Sequence, residues 1–420
     1  MIAATPGLLT PTRERALLWL LASTQFTLIM DFMVMMPLGP QIMSAFSISP
    51  AAFATAVSAY SWCAGLSGLF AATYVDRFDR RNLLLTMFAL FSLSNLACAL
   101  APNFATLLLS RAFAGLTGGV MFSIIMAIVG DVIPIDRRGA ATGVVMTSFS
   151  MAAVAGVPTG VVLGAHFGWQ STFYMLVALT IPIWIGMWRM IPSLRSHLVK
   201  KPPPFARALP DLFALIFNPR HLRAFLLSGT VMAASMSVIP FISPVLVANY
   251  GIKPEEIAWI YSAGGAATLF TARFIGRLSD RLGKHRVFRW IALFSMAPLM
   301  FITHMPHMPL LAIIAFFPTF IVLMSGRNIP LQALMTTVPE PAHRGAFLSV
   351  NAAVQSLGTG LGAWGGGMFL GSAADGHITG YGTNGWVAVC LTIFAIAWAS
   401  RVQQLAPVPA TAAAPQARAA

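Results

Sequence analysis

Apolar residues follow one another along this chain in long runs that short polar segments separate. A bilayer span needs about 20 mostly apolar residues, and twelve windows approach that pattern. The windows cover residues 16–38, 53–75, 83–100, 105–132, 140–166, 173–191, 225–249, 257–274, 288–305, 309–335, 347–370 and 387–400. The pattern predicts an all-α membrane protein with twelve transmembrane helices.

The composition excludes most other classes of protein. Of the 420 residues, 57% are hydrophobic and only 9% are charged, and the mean hydropathy is +0.78. Soluble proteins contain roughly a quarter charged residues. Soluble enzymes and nucleic-acid-binding proteins are therefore excluded, in spite of the net charge of +14.

The basic residues predict how the chain is oriented. When the twelve windows are threaded through a membrane, the loop bases fall on one side, and the other side has only Lys253. Cytoplasmic loops carry the excess of Lys and Arg. We therefore expect a multi-pass protein of the cell inner (plasma) membrane with both termini in the cytoplasm.

The two halves of the sequence repeat each other. Asp76-Arg77 recurs as Asp280-Arg281 at an offset of 204, and Arg138-Gly139 recurs as Arg344-Gly345 at an offset of 206. The pattern predicts six-helix halves at 1–192 and 225–405, a basic cytoplasmic linker at 193–224, and a disordered Ala- and Pro-rich tail at 406–420. Two parallel halves around a central cavity are one of the known transporter arrangements.

Several motifs carry a family resemblance. The segment from Gly276 to Phe288, GRLSDRLGKHRVF, resembles the signature of the major facilitator superfamily, and residues 72–81 resemble a first copy in which Ala72 and Asp79 replace glycines. The Gly156-Val-Pro158-Thr-Gly160 segment resembles the antiporter motif of the twelve-span drug:proton and sugar-efflux branch. The resemblance covers nearly the whole chain before the tail.

The resemblance implies a charge relay at the cytoplasmic gate. It assigns Asp76, Arg80 and Asp131 to ion pairs that hold the outward-facing state, and the same motifs add Arg77, Asp280 and Arg281. The second half has Thr337 where the first has Asp131, so we expect an incomplete relay there. Alternatively, these charges only set the topology.

Asp31 is the only acid well inside any window. Acidic residues within a membrane are costly and are functional by default. Arg111 lies at about the same depth in the fourth window, so the two side chains are expected to pair and to couple transport to protons. A permanent structural ion pair is the alternative. The other base within a window, Arg327, is expected to snorkel or to contact an anionic substrate.

Small residues and polar residues complete the candidate set. Gly156 and Gly160 recur as Gly362 and Gly366 at an offset of 206. With Pro158 they predict either close helix packing or a hinge where the halves meet. Candidates for the wall of a substrate cavity follow: Gln25, Met30, Tyr60, Trp62, Asn351 and Gln355. A hydrogen bond to a neighbouring helix is an equally good interpretation of Asn351 and Gln355.

No nucleotide-binding or hydrolase motif occurs, so we expect neither an enzyme nor a cofactor, and His304 with His307 are too few for a metal site. The sequence favours a monomeric secondary transporter whose partners are a small-molecule substrate, protons and the bilayer, with no nucleic acid. The leading hypothesis is proton-driven export of an amphiphilic drug-like or sugar-like compound by alternating access. Proton-coupled uptake is the first alternative, and a non-transporting membrane sensor is the second.

Overall fold

The computed structural model describes residues 10–134, 137–195, 205–340 and 343–402, without the side chains of residues 11, 72, 76, 205–209 and 211. The predicted tail and the centre of the predicted linker lie outside these residues. The helices are α1 (Pro11–Val34), α2 (Gly39–Phe46), α3 (Pro50–Tyr74), α4 (Arg80–Ala99), α5 (Phe104–Val132), α6 (Arg138–Met151), α7 (Val157–Phe167), α8 (Gln170–Met190), α9 (Phe205–Phe217), α10 (Pro219–Met236), α11 (Ile242–Tyr250), α12 (Pro254–Leu282), α13 (Lys284–Thr303), α14 (Leu310–Gly326), α15 (Asn328–Met335), α16 (Arg344–Met368) and α17 (Tyr381–Ala399). Two short strands, β1 (Gly371–Ser372) and β2 (Ile378–Thr379), form an antiparallel hairpin before α17.

Each of the twelve apolar windows falls on one helix or on two consecutive helices. Nine helical segments of the described chain are long and apolar enough to cross a membrane, and the bent pair α2 and α3 makes a tenth. α12 and α16, with 29 and 25 residues, are long enough but less apolar. Both are rich in Gly and small polar residues that pack against other helices, so they need less hydrophobic surface than a helix that faces lipid.

The fifth window and the predicted linker both differ from the simple pattern that was expected. The fifth is helical as α6 and α7 around a π-helical segment, Ala152–Gly156, just before Pro158. Proline has no backbone N–H to donate, and π-segments often accompany such interruptions. The predicted linker is also more regular than expected, because it contains α9 and because α10 begins at Pro219, six residues before the predicted boundary.

We call the end of the bundle where α4, α6, α13 and α16 begin the basic end, since their first residues are Arg80, Arg138, Lys284 and Arg344. The two halves meet mainly through α3 against α16, and through α12 against α7 and the π-helical segment. α12 makes little contact with α6, which lies toward the basic end. The halves are therefore packed most closely away from the basic end along that seam.

Candidate functional site

A cavity of about 380 Å³ lies between the two halves. Its wall is mostly apolar and includes Phe32, Met33, Phe122 and Met232. Within the described residues, the lining contains no Asp, Glu, Lys, Arg or His, and its polar groups are hydroxyls and amides. A concave, largely apolar space with a few polar groups is the usual form of a small-molecule site.

One face of α1 supplies part of this wall. Gln25, Ile29 and Phe32 recur every three or four residues and line the cavity, which is the spacing of one helical face, and Met36 just beyond the end of α1 lines it as well. Asp31 lies off that face and turns toward α5, where its Oδ1 is 2.6 Å from Nη1 of Arg111. The depth argument therefore placed these two side chains correctly.

The ion pair is completely buried, with 0% exposure at both Asp31 and Arg111. The ring of Tyr60 covers the guanidinium, with 4.5 Å between Cζ of Arg111 and the ring centroid. Tyr60 also lines the cavity, so it stands between the pair and the substrate space. Oδ2 of Asp31 forms no hydrogen bond with the described residues. The pair thus lies one side chain behind the wall.

Glycines allow this close arrangement of α3 and α5. A Cβ added at Gly115 would lie 2.2 Å from the carbonyl oxygen of Tyr60, and one at Gly119 would lie 2.2 Å from that of Ala64. Real Cβ atoms do not approach a backbone oxygen so closely. The segment from Arg111 to Gly115 therefore supplies both the charge and the space for Tyr60.

Four of the six predicted cavity residues do not reach the lining, and these predictions were wrong. Asn351 accepts a hydrogen bond from Ser228 on α10, with 2.6 Å between Oδ1 and Oγ. Gln355 accepts one from Gln332 at 3.0 Å. Both amides bridge helices of the second half, as the alternative interpretation held. Only Gln25 and Tyr60 lie where they were expected.

The other two misplaced residues pack between helices. Met30 is 1% exposed and lies against Gly156 of the fifth window. The indole of Trp62 contacts Trp364, with 6.0 Å between the ring centroids, and lies over Gly360. Trp62 therefore belongs to the contact between α3 and α16 and not to the cavity.

The first copy of the signature forms an ion pair at the basic end. Nε of Arg80 is 2.6 Å from Oδ2 of Asp131, which joins the start of α4 to the end of α5. Nε of Arg77 donates to the carbonyl oxygen of Thr73. The side chain of Asp76 lies outside the described part of the chain. Two of the three predicted relay residues are thus in direct contact.

The second copy does not form such a relay, so the assignment of Asp280 and Arg281 to one was wrong. Both residues are exposed near the end of α12, and neither forms an ion pair with any residue whose position is described. The physical reason is Thr337, which replaces the acid and donates its hydroxyl to the carbonyl of Leu334.

The repeated glycines pack helices within each half and not where the halves meet, so the predicted hinge position was wrong. Cβ atoms at Gly156 and Gly160 would meet Met30 and Val34 of α1. Cβ atoms at Gly362 and Gly366 would meet the backbone of α10. Different glycines face the other half: Gly265 lies against Ala153, and Gly360 lies against Trp62.

Asp79 replaces a signature glycine and ties the loop before α4 to the residues after α8. Its Oδ2 accepts hydrogen bonds from Ser193 at 2.6 Å and from Arg195 at 3.0 Å, and its Oδ1 accepts from the amides of Arg81 and Leu194. Burial alone would raise the pKa of this carboxyl. The hydrogen bonds outweigh burial and hold the pKa below its ordinary value of 3.8.

We expect Asp79→Asn to lower the free energy of unfolding by about 1–3 kcal/mol, because the new NH₂ group cannot accept from Ser193 and Arg195. A lowered folded-state pKa gives stability that is present above the ordinary pKa and is lost as the pH falls through the folded value. The wild-type advantage should therefore disappear in strong acid. Unfolding temperatures of the purified proteins between pH 7 and pH 3 measure this. Glu255→Gln, at an exposed position with no ion pair among the described residues, is the control, and equal unfolding temperatures for wild type and Asp79→Asn at pH 7 would contradict the prediction.

The sequence model of the family described as Major Facilitator Superfamily matches residues 21–363, and a second match covers residues 224–419. The chain belongs to the major facilitator superfamily. Its fold is accordingly the major facilitator fold of two six-helix halves, and the protein is a major facilitator transporter.

Relatives of this transporter have names that refer to sugar efflux and to drug resistance. A "Probable sugar efflux transporter" of Helicobacter acinonychis is 25% identical over 358 residues, which cover 85% of this chain and 87% of that protein. A "Chloramphenicol resistance protein" of Streptomyces lividans is 28% identical over 242 residues, 58% of this chain and 61% of that protein. A crystal structure of a bacterial homologue of the human lysosomal transporter Spinster, inward-facing and occupied, has a TM-score of 0.77 at 17% identity and covers 95% of this chain and 100% of that one. This last likeness concerns the fold alone.

Residues that sequence reasoning missed also shape the transporter's site. Ser235, Tyr261 and Asn328 line the cavity from the second half. In the sequence, each is only a polar residue inside an apolar window. Many buried hydroxyl-bearing residues outside the cavity have the same pattern, so it does not identify the lining. Of the two alternatives for Arg327, snorkelling was wrong, because its side chain is 1% exposed and lies among α10, α13 and α17, whereas contact with an anionic substrate stays a prediction.

Proposed function

We propose that this major facilitator protein exports a small amphiphilic drug-like or sugar-like compound in exchange for protons by alternating access. The observation that carries the proposal is the buried Asp31–Arg111 pair beside an otherwise uncharged cavity. A proton-coupled carrier needs a group near the substrate that changes charge, and Arg cannot deprotonate at useful pH. Asp31 is that group. The name of the sugar efflux relative supports the direction, and the names of both relatives support the substrate class.

In the proposed orientation, the basic end, both termini and the linker 193–224 lie in the cytoplasm. The protein is a monomer in the cell inner membrane. The halves 1–192 and 225–405 move as units. Their close packing between α12 and α7, with little contact at α6, supports a cavity that opens toward the basic end. The Arg80–Asp131 pair, together with Asp76, would act as a charge relay at the basic end, and it favours the outward-facing state only if it gains contacts there that this structure lacks.

Everted membrane vesicles test the proposal. Respiration acidifies the vesicle lumen, and a pH-sensitive dye records the gradient while chloramphenicol or a neutral sugar from a panel is added. We expect at least one compound to release protons from the lumen of vesicles that contain the protein, because uptake into everted vesicles corresponds to export from the cell. Vesicles without the protein are the control.

Other outcomes separate the remaining functions. Compound movement that follows protons out of the lumen would identify a symporter that works as an uptake system. No proton movement and no accumulation across the panel would contradict transport of these compound classes and favour a sensor.

A further inference from the structure

Arg327 is a buried cation that lies just behind the cavity wall in the second half. It occupies the break between α14 and α15. Its Nη2 donates to Oγ of Ser235 at 2.6 Å, and its Nη1 donates to Oγ1 of Thr392 at 3.2 Å. Its Nε has no hydrogen-bond partner among the described residues. All of its bonded partners are neutral oxygens.

No carboxylate pairs with Arg327 in the described part of the chain, in contrast to Arg111. The whole sequence has only 12 acidic residues. Those of the second half are Glu255, Glu256, Asp280, Glu340 and Asp375, at helix ends or in loops. A guanidinium does not deprotonate in proteins under ordinary conditions. Arg327 therefore keeps a full positive charge with no counter-charge among the side chains that the structure describes.

Ser235 connects this charge to the substrate space. Its side chain lines the cavity and accepts the short hydrogen bond from Arg327. The Asp31–Arg111 pair is neutral as a unit, and no charged side chain lines the described wall. The cavity therefore has one uncompensated positive charge directly behind it, in a water-poor region where charges are weakly screened.

We propose that the substrate is an amphiphilic acid, with its anionic group at Ser235 facing Arg327. Its apolar body lies against the aromatic and Met side chains, such as Phe32, Met33 and Phe122. A cation at Ser235 would be repelled, so the geometry selects against cationic amphiphiles. The proposal specifies the substrate class of the proposed function, and it rests on that function for the claim that the compound is transported. A free inorganic anion such as chloride carries the same negative charge. The experiment distinguishes binding of the amphiphilic acid from binding of the free anion.

The test measures binding to the purified protein by titration calorimetry with three compounds of one shape: 1-naphthoate, 1-naphthamide and 1-naphthylmethylammonium. We expect the affinity to fall in that order, with naphthoate at least about tenfold tighter than the amide, because a charged hydrogen bond near a buried cation exceeds a neutral one. Arg327→Gln should remove the preference for naphthoate and leave amide binding unchanged. Arg401→Gln removes the same charge from an exposed site outside the cavity and should change nothing.

The amide serves as the folding control, and the order of the three affinities in the unmodified protein tests the proposal without any variant. Equal or reversed affinities, failure of naphthoate to bind, or a preference that survives Arg327→Gln would overturn the proposal. Each titration is run in sodium gluconate and in sodium chloride. Chloride that binds only when Arg327 is present, with no preference for naphthoate in gluconate, would assign the charge to a free anion and would also overturn it. Because no proton gradient is involved, failure of the vesicle experiment leaves this result independent.

Discussion

Asp31→Asn is expected to abolish accumulation driven by a pH gradient while some substrate binding remains. The amide keeps the size and much of the hydrogen bonding of the carboxyl, but it cannot take up a proton. Among the described side chains, Asp31 is the only carboxylate beside the cavity, and Arg111 lies 2.6 Å from it. If Asp31 carries the coupling proton, no nearby residue can replace it.

The same change also removes the counter-charge of Arg111. Leaving one partner of a buried ion pair uncompensated costs about 3–5 kcal/mol. A loss of transport therefore has to be separated from a loss of folded protein. The double variant Asp31→Asn/Arg111→Gln removes both charges, and we expect it to recover folded protein without recovering proton-driven transport.

Reconstituted vesicles provide the measurement. Substrate-induced proton movement, counterflow of substrate without a gradient, and the folded fraction are recorded for the single and double variants. Asp375→Asn is the matched control, because it removes an exposed acid far along the chain from the pair. Undiminished proton exchange in Asp31→Asn would mean that coupling depends on another group or that the carrier is not proton-driven.

Much of the fold could be predicted because membrane helices are recognisable in a sequence as long apolar segments. Each apolar window became a helix or a helix pair, since a lipid environment requires every backbone group to be satisfied within the span. The helix α9 was missed because its 13 residues are too few to form a span-length apolar window. The start of α10 was placed late because Arg220 and Arg223 interrupt the apolar pattern.

For the candidate site, the depth of each side chain in the membrane could be predicted, but the rotation of each helix about its axis could not. Counting residues from the helix ends gives the level of a side chain, and this brought Asp31 and Arg111 together. It does not give the direction in which a helix faces. Met30, Asn351 and Gln355 lie at plausible depths, yet they turn toward neighbouring helices and away from the cavity. Only tertiary packing decides between these directions.

The surroundings of Arg327 and of the glycines could not be predicted for a related reason. A single sequence shows that Arg327 is in an apolar window, but its neutral partners come from windows seven, nine and twelve. The glycine spacing of four correctly indicated close packing. It could not indicate whether the packed helix belongs to the same half or to the other one.

The same substitution at two glycines two residues apart on α16 is expected to impair different properties, stability at one and transport at the other. A Cβ at Gly362 would lie 2.3 Å from the carbonyl oxygen of Ala233 on α10, within the same half. A Cβ at Gly360 would lie 2.3 Å from Cδ1 of Trp62 on α3, in the other half. The first obstacle is fixed backbone, and the second is a side chain on a surface that separates in the proposed alternating-access cycle.

Gly362→Ala should therefore lower the free energy of unfolding by about 1–3 kcal/mol, because overpacking within a half has no conformation that relieves it. Gly360→Ala should reduce the transport rate per folded molecule with a smaller effect on unfolding, because separation of α3 from α16 relieves the clash and shifts the balance of states. The hydrogen bond from Ser58 to the carbonyl of Gly360, at 2.9 Å, should weaken at the same time.

Gly365→Ala is the matched control on the same helix, since nothing lies within 4 Å of its added Cβ. Replacing Gly by Ala within a helix is intrinsically favourable by roughly 1 kcal/mol, so this variant should be as stable as the wild type or slightly more so. Unfolding temperatures and counterflow rates of the three variants distinguish the two interfaces. If Gly360→Ala unfolds as readily as Gly362→Ala and its folded fraction transports at the wild-type rate, the contact between α3 and α16 does not separate during the cycle, and the movement of the halves must occur elsewhere.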